Sequence, residues 1–117
     1  LENFDGSPHL MKKLVIPDSK GFSVIDPAEV IYCVADGYCT VFHLSRARKE
    51  TSSKNIGHYG EILSEGHFLR VHHSYLVNIH KVSGYSNQGV IYLSEGHQCP
   101  LGTTFRQNFL RHFKKFR

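Results

Sequence analysis

The sequence predicts a mainly β domain of small antiparallel sheets, with one short central helix and one C-terminal helix. Three observations predict it. Short β-rich apolar runs recur at ~8–12-residue spacing along most of the chain. Asp36-Gly37 stands between two of these runs as the two-residue turn that hairpins favour, because both residues tolerate φ > 0. Helical periodicity appears in only two places, too few crossovers for a parallel sheet. The chain has 117 residues, 40% hydrophobic, 12% aromatic and 21% charged. That is enough for one ordinary globular core and excludes a large enzyme with a separate substrate domain.

In chain order, residues 1–11 mix Gly, Ser, Pro and Asn with scattered apolars and read as a linker or cloning remnant. The domain is expected over 12–117. Lys12–Pro17 and Phe22–Ile25 read as strands around an Asp18–Gly21 turn. Val30–Ala35 and Tyr38–Leu44 flank Asp36-Gly37. Alternation puts Cys39, Val41 and His43 on one face and Tyr38, Thr40, Phe42 and Leu44 on the other. Ser45–Lys54 is polar and basic, a strand end or loop. Asn55–Glu65 carries Ile56, Tyr59, Ile62 and Leu63 at helical spacing, with Gly66 as a C-terminal stop. Gly57 and Gly60 each weaken that helix by ~1 kcal/mol relative to Ala. Strands resume at Phe68–Val71, Tyr75–Asn78, Val82–Tyr85, Val90–Leu93 and Gln98–Leu101, with a tight turn at Glu95-Gly96. Thr103 or Thr104 is placed to N-cap a last helix, on which Phe105, Phe109, Phe113 and Phe116 form a stripe beside Leu110. No long internal repeat is visible.

Charge is distributed unevenly. The formal net charge is +4, yet residues 1–95 sum to −1 and residues 96–117 carry five Lys/Arg and no acid. A one-sided basic segment is a footprint for phosphate. Catalytic signatures are missing: there is no phosphate-cradling Gly loop, no GxSxG elbow and no paired carboxylates, so no enzyme is expected. Cys33, Cys39 and Cys99 fall in expected strands and lack ligand spacing, which points to small hydrophobes in a reducing, cytoplasmic setting. Neither HExxH nor CxxC is present, and His72 and His73 would point to opposite faces of a strand. No metal and no cofactor are expected. There is no apolar run of membrane-spanning length and no signal-peptide pattern, and the Leu1 start suggests a piece of a longer protein.

The most informative stretch is His67–Val82, HFLRVHHSYLVNIHKV. Apolar residues there alternate with donor-rich, acid-free polar heads suited to phosphates and base edges. Phe68, Arg70, His72, Ser74, Tyr75, Leu76, Val77 and Asn78 match, in register, the Phe-x-Arg-x-His-x-Ser-aromatic-(Leu/Val)-Val-Asn core of the LytTR family of bacterial DNA-binding domains, which the chain therefore resembles. The Val30–Tyr38 hairpin, the Asn55–Leu63 helix and the Gly96–Leu101 strand are similar to flanking family features, so the resemblance covers about residues 12–115.

The resemblance implies an elongated β-sandwich-like arrangement that reads double-stranded promoter DNA through loops at one end. It also implies direct-repeat sites, dimers assembling on DNA, and an upstream receiver domain of a two-component response regulator. The candidate DNA-binding residues are Tyr38, Cys39, Lys54, Arg70, His72, His73, Ser74, Thr103, Thr104 and Arg106. Arg70 and Arg106 are the phosphate candidates and His73 the base-edge candidate. The chain departs from the family at Gly102-Thr103-Thr104, where Ser-Arg is usual and the first Arg is delayed to Arg106. A Thr there can touch a phosphate or a thymine methyl but lacks the guanidinium fork that meets guanine. The rival readings are a protein-interaction module of the same fold, or a small His-rich metal-binding protein.

Overall fold

The computed structural model describes residues 13–64 and 67–114. Within them, ten strands form three antiparallel sheets. Strands β1 (Leu14–Asp18) and β2 (Gly21–Ile25) make a hairpin. The central sheet runs β5-β4-β3-β7-β6, from β3 (Val30–Asp36), β4 (Cys39–Leu44), β5 (Arg48–Ser52), β6 (Phe68–His72) and β7 (Tyr75–Asn78). Strands β8 (Val82–Ser86), β9 (Val90–Leu93) and β10 (Gln98–Pro100) form the third sheet, with β9 in the middle. Helix α1 spans Ile56–Ile62 and α2 spans Thr103–Lys114.

The central sheet buries both faces, because its apolar residues fall on alternate sides. Val30, Cys33, Phe42, Leu44, Phe68 and Leu76 meet Leu14, Ile16, Ile56, Tyr59 and Leu63 in one core. Ile31, Val71 and Val77 meet Ile91, Leu93, Cys99, Leu101 and Phe109 in the other. The layers are therefore hairpin plus α1, central sheet, then third sheet plus α2. Within α2, Phe109 is buried while Phe105 and Phe113 pack half-buried against the second core, as the stripe predicts. Phe116 lies outside the described residues, as do residues 1–12 and Gly66.

Several local expectations change. Ser45–Lys54 contains a full strand, β5, whose polar character fits its place at the sheet edge. Tyr38 belongs to the turn, and β4 begins at Cys39. Ile62 points outward, 51% exposed, so only Ile56, Tyr59 and Leu63 tie α1 to the core. Helix α2 already includes Thr103, so Thr103 and Thr104 lie in its first turn rather than capping it. Asn55 caps α1 by accepting from the His58 N–H at 2.9 Å.

Two β-bulges redirect side chains. One lies between Val30 and Tyr32 and sends both Ile31 and Tyr32 toward the second core. The other lies between Arg70 and His72. It breaks the alternation that would place Arg70, His72 and Ser74 on one face, because a bulge inserts one extra residue. Arg70 turns toward α1, with its Nη1 3.5 Å from where a Cβ on Gly60 would stand. The His72 ring turns toward Tyr75 and Gly102 instead.

Candidate nucleic-acid interface

Three segments converge at one end of the central sheet. The first is the hairpin turn Asp36–Tyr38, where Gly37 adopts φ 61° and Tyr38 stands 90% exposed. The second is the β6–β7 turn at His73 and Ser74. The Ala35 N–H donates to the Ser74 carbonyl at 2.9 Å, which fixes this turn beside the hairpin. The third is the Gly102–Thr104 entry to α2. The Gly102 N–H donates to the Val71 carbonyl at 2.8 Å, and a Cβ at Gly102 would stand 3.6 Å from the His72 ring. Lys54 joins the first segment, since its carbonyl accepts from Thr40 Oγ1 at 2.8 Å.

Within this end the candidate residues differ in freedom. Tyr38, Lys54, His73, Thr103 and Thr104 are exposed. Cys39 and Ser74 are half-buried. His72 is half-buried too, and its Nδ1 accepts from the Ser74 N–H at 3.0 Å, so that nitrogen shapes the turn. Arg70 donates from Nε to the His72 carbonyl at 3.1 Å and from Nη2 to the His73 carbonyl at 2.5 Å. Arg106 lies one turn into α2, with its guanidinium carbon 5.5 Å from the centre of the Tyr85 ring. It is thus drawn onto the third sheet by a cation–π contact rather than grouped with the turns. Asp36 is the acid at this end, paired across the hairpin with Cys39.

Elsewhere the chemistry is quiet. Cys33 and Cys99 are buried, and burial pushes both thiols up, Cys99 to about 12, so they pack as neutral hydrophobes. Among the described residues, no three His, Cys, Asp or Glu side chains converge as metal ligands. No described helix is long and apolar enough to cross a membrane. Asn78 is 3% exposed and donates from Nδ2 to the Val30 carbonyl at 2.9 Å.

The sequence marks Gly60 only as a residue that weakens its helix and does not show that Arg70 meets it. Its signal was the pair of glycines inside a seven-residue helix, where helix propensity argues against them. Gly57 leaves room for the capping Asn55 Oδ1, 3.3 Å from where a Cβ would stand, and Gly60 is where α1 meets Arg70, whose Nη1 lies in ordinary contact distance, 3.5 Å, of a Cβ placed there.

The domain is three-layered and mainly β, with two turns and a helix entry brought together at one end of its central sheet. The model of the LytTR DNA-binding domain family matches residues 20–114, and the chain belongs to that family. Among solved structures it is similar to a Bacillus cereus domain described as the LytTR DNA-binding domain of a methyl-accepting/DNA response regulator. The TM-score is 0.74 at 16% identity, over 87% of this chain and 96% of that one. No curated protein sequence matches the chain.

Proposed function

We propose that this domain is the sequence-specific output module of a bacterial transcriptional regulator, a cytoplasmic two-component response regulator whose receiver domain precedes it. It binds double-stranded promoter DNA at direct repeats and pairs with a second copy there, without catalysing a reaction. The observation that carries the reading is the convergence of Tyr38, His73 and Thr103 at one end, each exposed and each on a segment tied to its neighbour by backbone hydrogen bonds. His73 is the base-edge group, able to donate or accept as a neutral imidazole. Tyr38 covers sugar or base faces. Thr103 and Thr104 meet phosphate or a thymine methyl, and Lys54 meets phosphate.

Fluorescence anisotropy on duplexes enriched by the domain from a randomised pool tests this. Each phosphate contact lowers log affinity against log salt with a slope of about −0.9, so about four to six contacts give a slope between about −3.6 and about −5.4. A flat salt response and no enriched sequence would leave the protein-interaction module as the better reading.

A further inference from the structure

Arg70 is the most committed side chain at the interface, and its commitments are internal. Two consecutive carbonyls, those of His72 and His73, point into one guanidinium. Its remaining terminal nitrogen, Nη1, lies against the α1 backbone at Gly60. A planar guanidinium holds several donors in a rigid fork, so it sets the spacing and direction of what it binds. Charge-assisted bonds of this kind are about twice as strong as neutral ones. The same turn is held from the other side, by Ser74 N–H to His72 Nδ1 and Ala35 N–H to the Ser74 carbonyl. His73 is the residue left exposed at the centre of these restraints.

Building on the DNA-binding reading above, we propose that Arg70 is a positioning residue for base recognition. It clamps the β6–β7 turn from behind, with α1 as its backstop, and thereby fixes His73 and Ser74 before DNA arrives. Pre-ordering a reading loop removes an entropic cost that binding would otherwise bear, and the gain is largest for contacts that need exact aim. Nonspecific phosphate contact gains little from that aim. The clamp therefore governs discrimination between sequences more than affinity for DNA as such. Helix α1 acquires a role in recognition, since the guanidinium lies against it at Gly60.

The test uses Arg70→Lys and Gly60→Leu. The lysine keeps the charge but loses the fork. The leucine alters no charge and pushes the guanidinium off its seat. Each variant is titrated against the duplex that the parent enriches from a randomised pool and against a scrambled duplex, at several salt concentrations. Amide hydrogen exchange at His73 and Ser74 is followed in the free protein, and melting is recorded. Both variants should lower the ratio of enriched to scrambled affinity by about tenfold. The salt slope should stay unchanged, and His73 and Ser74 should exchange faster. If Arg70→Lys keeps the ratio while Arg70→Ala makes the slope shallower by about 0.9, Arg70 is a phosphate contact and the clamp is overturned. Lower melting with an intact ratio overturns it as well, by showing a purely structural residue. If the parent enriches no sequence, the DNA reading fails and this role with it.

Discussion

The two three-stranded units of the molecule, β3–β4–β5 and β8–β9–β10, share one backbone plan with different surroundings. Each opens with an Asx side chain capping a 3₁₀ turn. Asp26 accepts from the Ala28 N–H at 2.9 Å, and Asn78 accepts from the His80 N–H at 3.0 Å. A bulge follows at the same place in each first strand, between Val30 and Tyr32 and between Val82 and Gly84. Each middle strand ends on a Leu that a Ser follows, at Leu44-Ser45 and Leu93-Ser94, and the chain then takes two left-handed residues into the third strand. The two left-handed turns touch, the Arg46 N–H donating to Glu95 Oε1 at 2.9 Å. The first unit sits in the middle of the molecule and buries its bulged Ile31, whereas Ser83 at the equivalent place is exposed. The first unit's hairpin also reaches the end where the turns converge, with Tyr38 exposed there. One backbone plan thus forms the two-sided middle layer in one copy and an outer sheet in the other, and the difference lies in which faces are covered.

The caps should separate the two units most strongly. Asn78 both caps its turn and satisfies the buried Val30 carbonyl, so it also ties the second unit's start to the first unit's first strand. Asp26 only caps. Asn78→Ala should cost ~2–3 kcal/mol in urea unfolding, from a lost cap plus an unsatisfied buried carbonyl. Asp26→Ala should cost ~1 kcal/mol. Equal losses would show that the Val30 bond contributes nothing and that the units are held together by packing alone.

How much of this was legible varies with the physical signal. Period-2 alternation in Tyr38–Leu44 put Thr40, Phe42 and Leu44 on one face, and that face is buried, whereas Tyr38, assigned to it as well, stands exposed because it belongs to the turn. The Phe68–Asn78 motif placed the β6–β7 turn. Strand β5 was obscure because an edge strand with one covered face can be built from Arg, Lys, Glu, Thr and Ser. The direction of Arg70 was unreadable for a different reason. It depends on a bulge at Val71, and a bulge changes side-chain direction without leaving a compositional mark. The doubled plan was hidden because what repeats is caps, bulges and φ angles, while the shared residues reduce to a few such as Val-x-x-Leu-Ser.

The paired turns give a second, smaller contrast. The first unit uses Arg46 and Ala47 at φ 62° and 60°, and the second uses Glu95 and Gly96 at φ 59° and 79°. An L-residue pays ~1–2 kcal/mol in this region, part of which a glycine gives back through the entropy of the unfolded chain. Ala47→Gly should therefore stabilise by about 0.5–1 kcal/mol, and Gly96→Ala should destabilise by a similar amount. Chemical denaturation reads both. If the two exchanges shift stability in the same direction, the turns are not equivalent, and the Arg46–Glu95 contact rather than backbone strain dominates them.

The finest contrast concerns protonation. His43 and Tyr92 stand at equivalent places, one residue before the Leu-Ser step. His43 stacks on Tyr32, ring centres 4.4 Å apart and nearly parallel, with His97 5.7 Å away. Burial, together with the positive Lys49 and the neighbouring His97, lowers its affinity for a proton below the ordinary 6.5. The unfolded chain therefore takes up a proton at His43 as pH falls through about 6.5, while the folded chain resists until a lower pH. Unfolding is favoured across that window, so His43 contributes a loss of stability as pH drops below about 6.5 and nothing above it. His43→Phe keeps a ring against Tyr32 without a titrating group. It should flatten the acid side of the stability–pH curve relative to the parent, measured by urea midpoints from pH 8 to pH 5. Tyr92 is partly exposed on the outer face of the third sheet, so Tyr92→His should leave the slope of the parent nearly unchanged. If His43→Phe keeps the full acid slope, the sensitivity belongs to other histidines, and the junction of the two units does not sense pH.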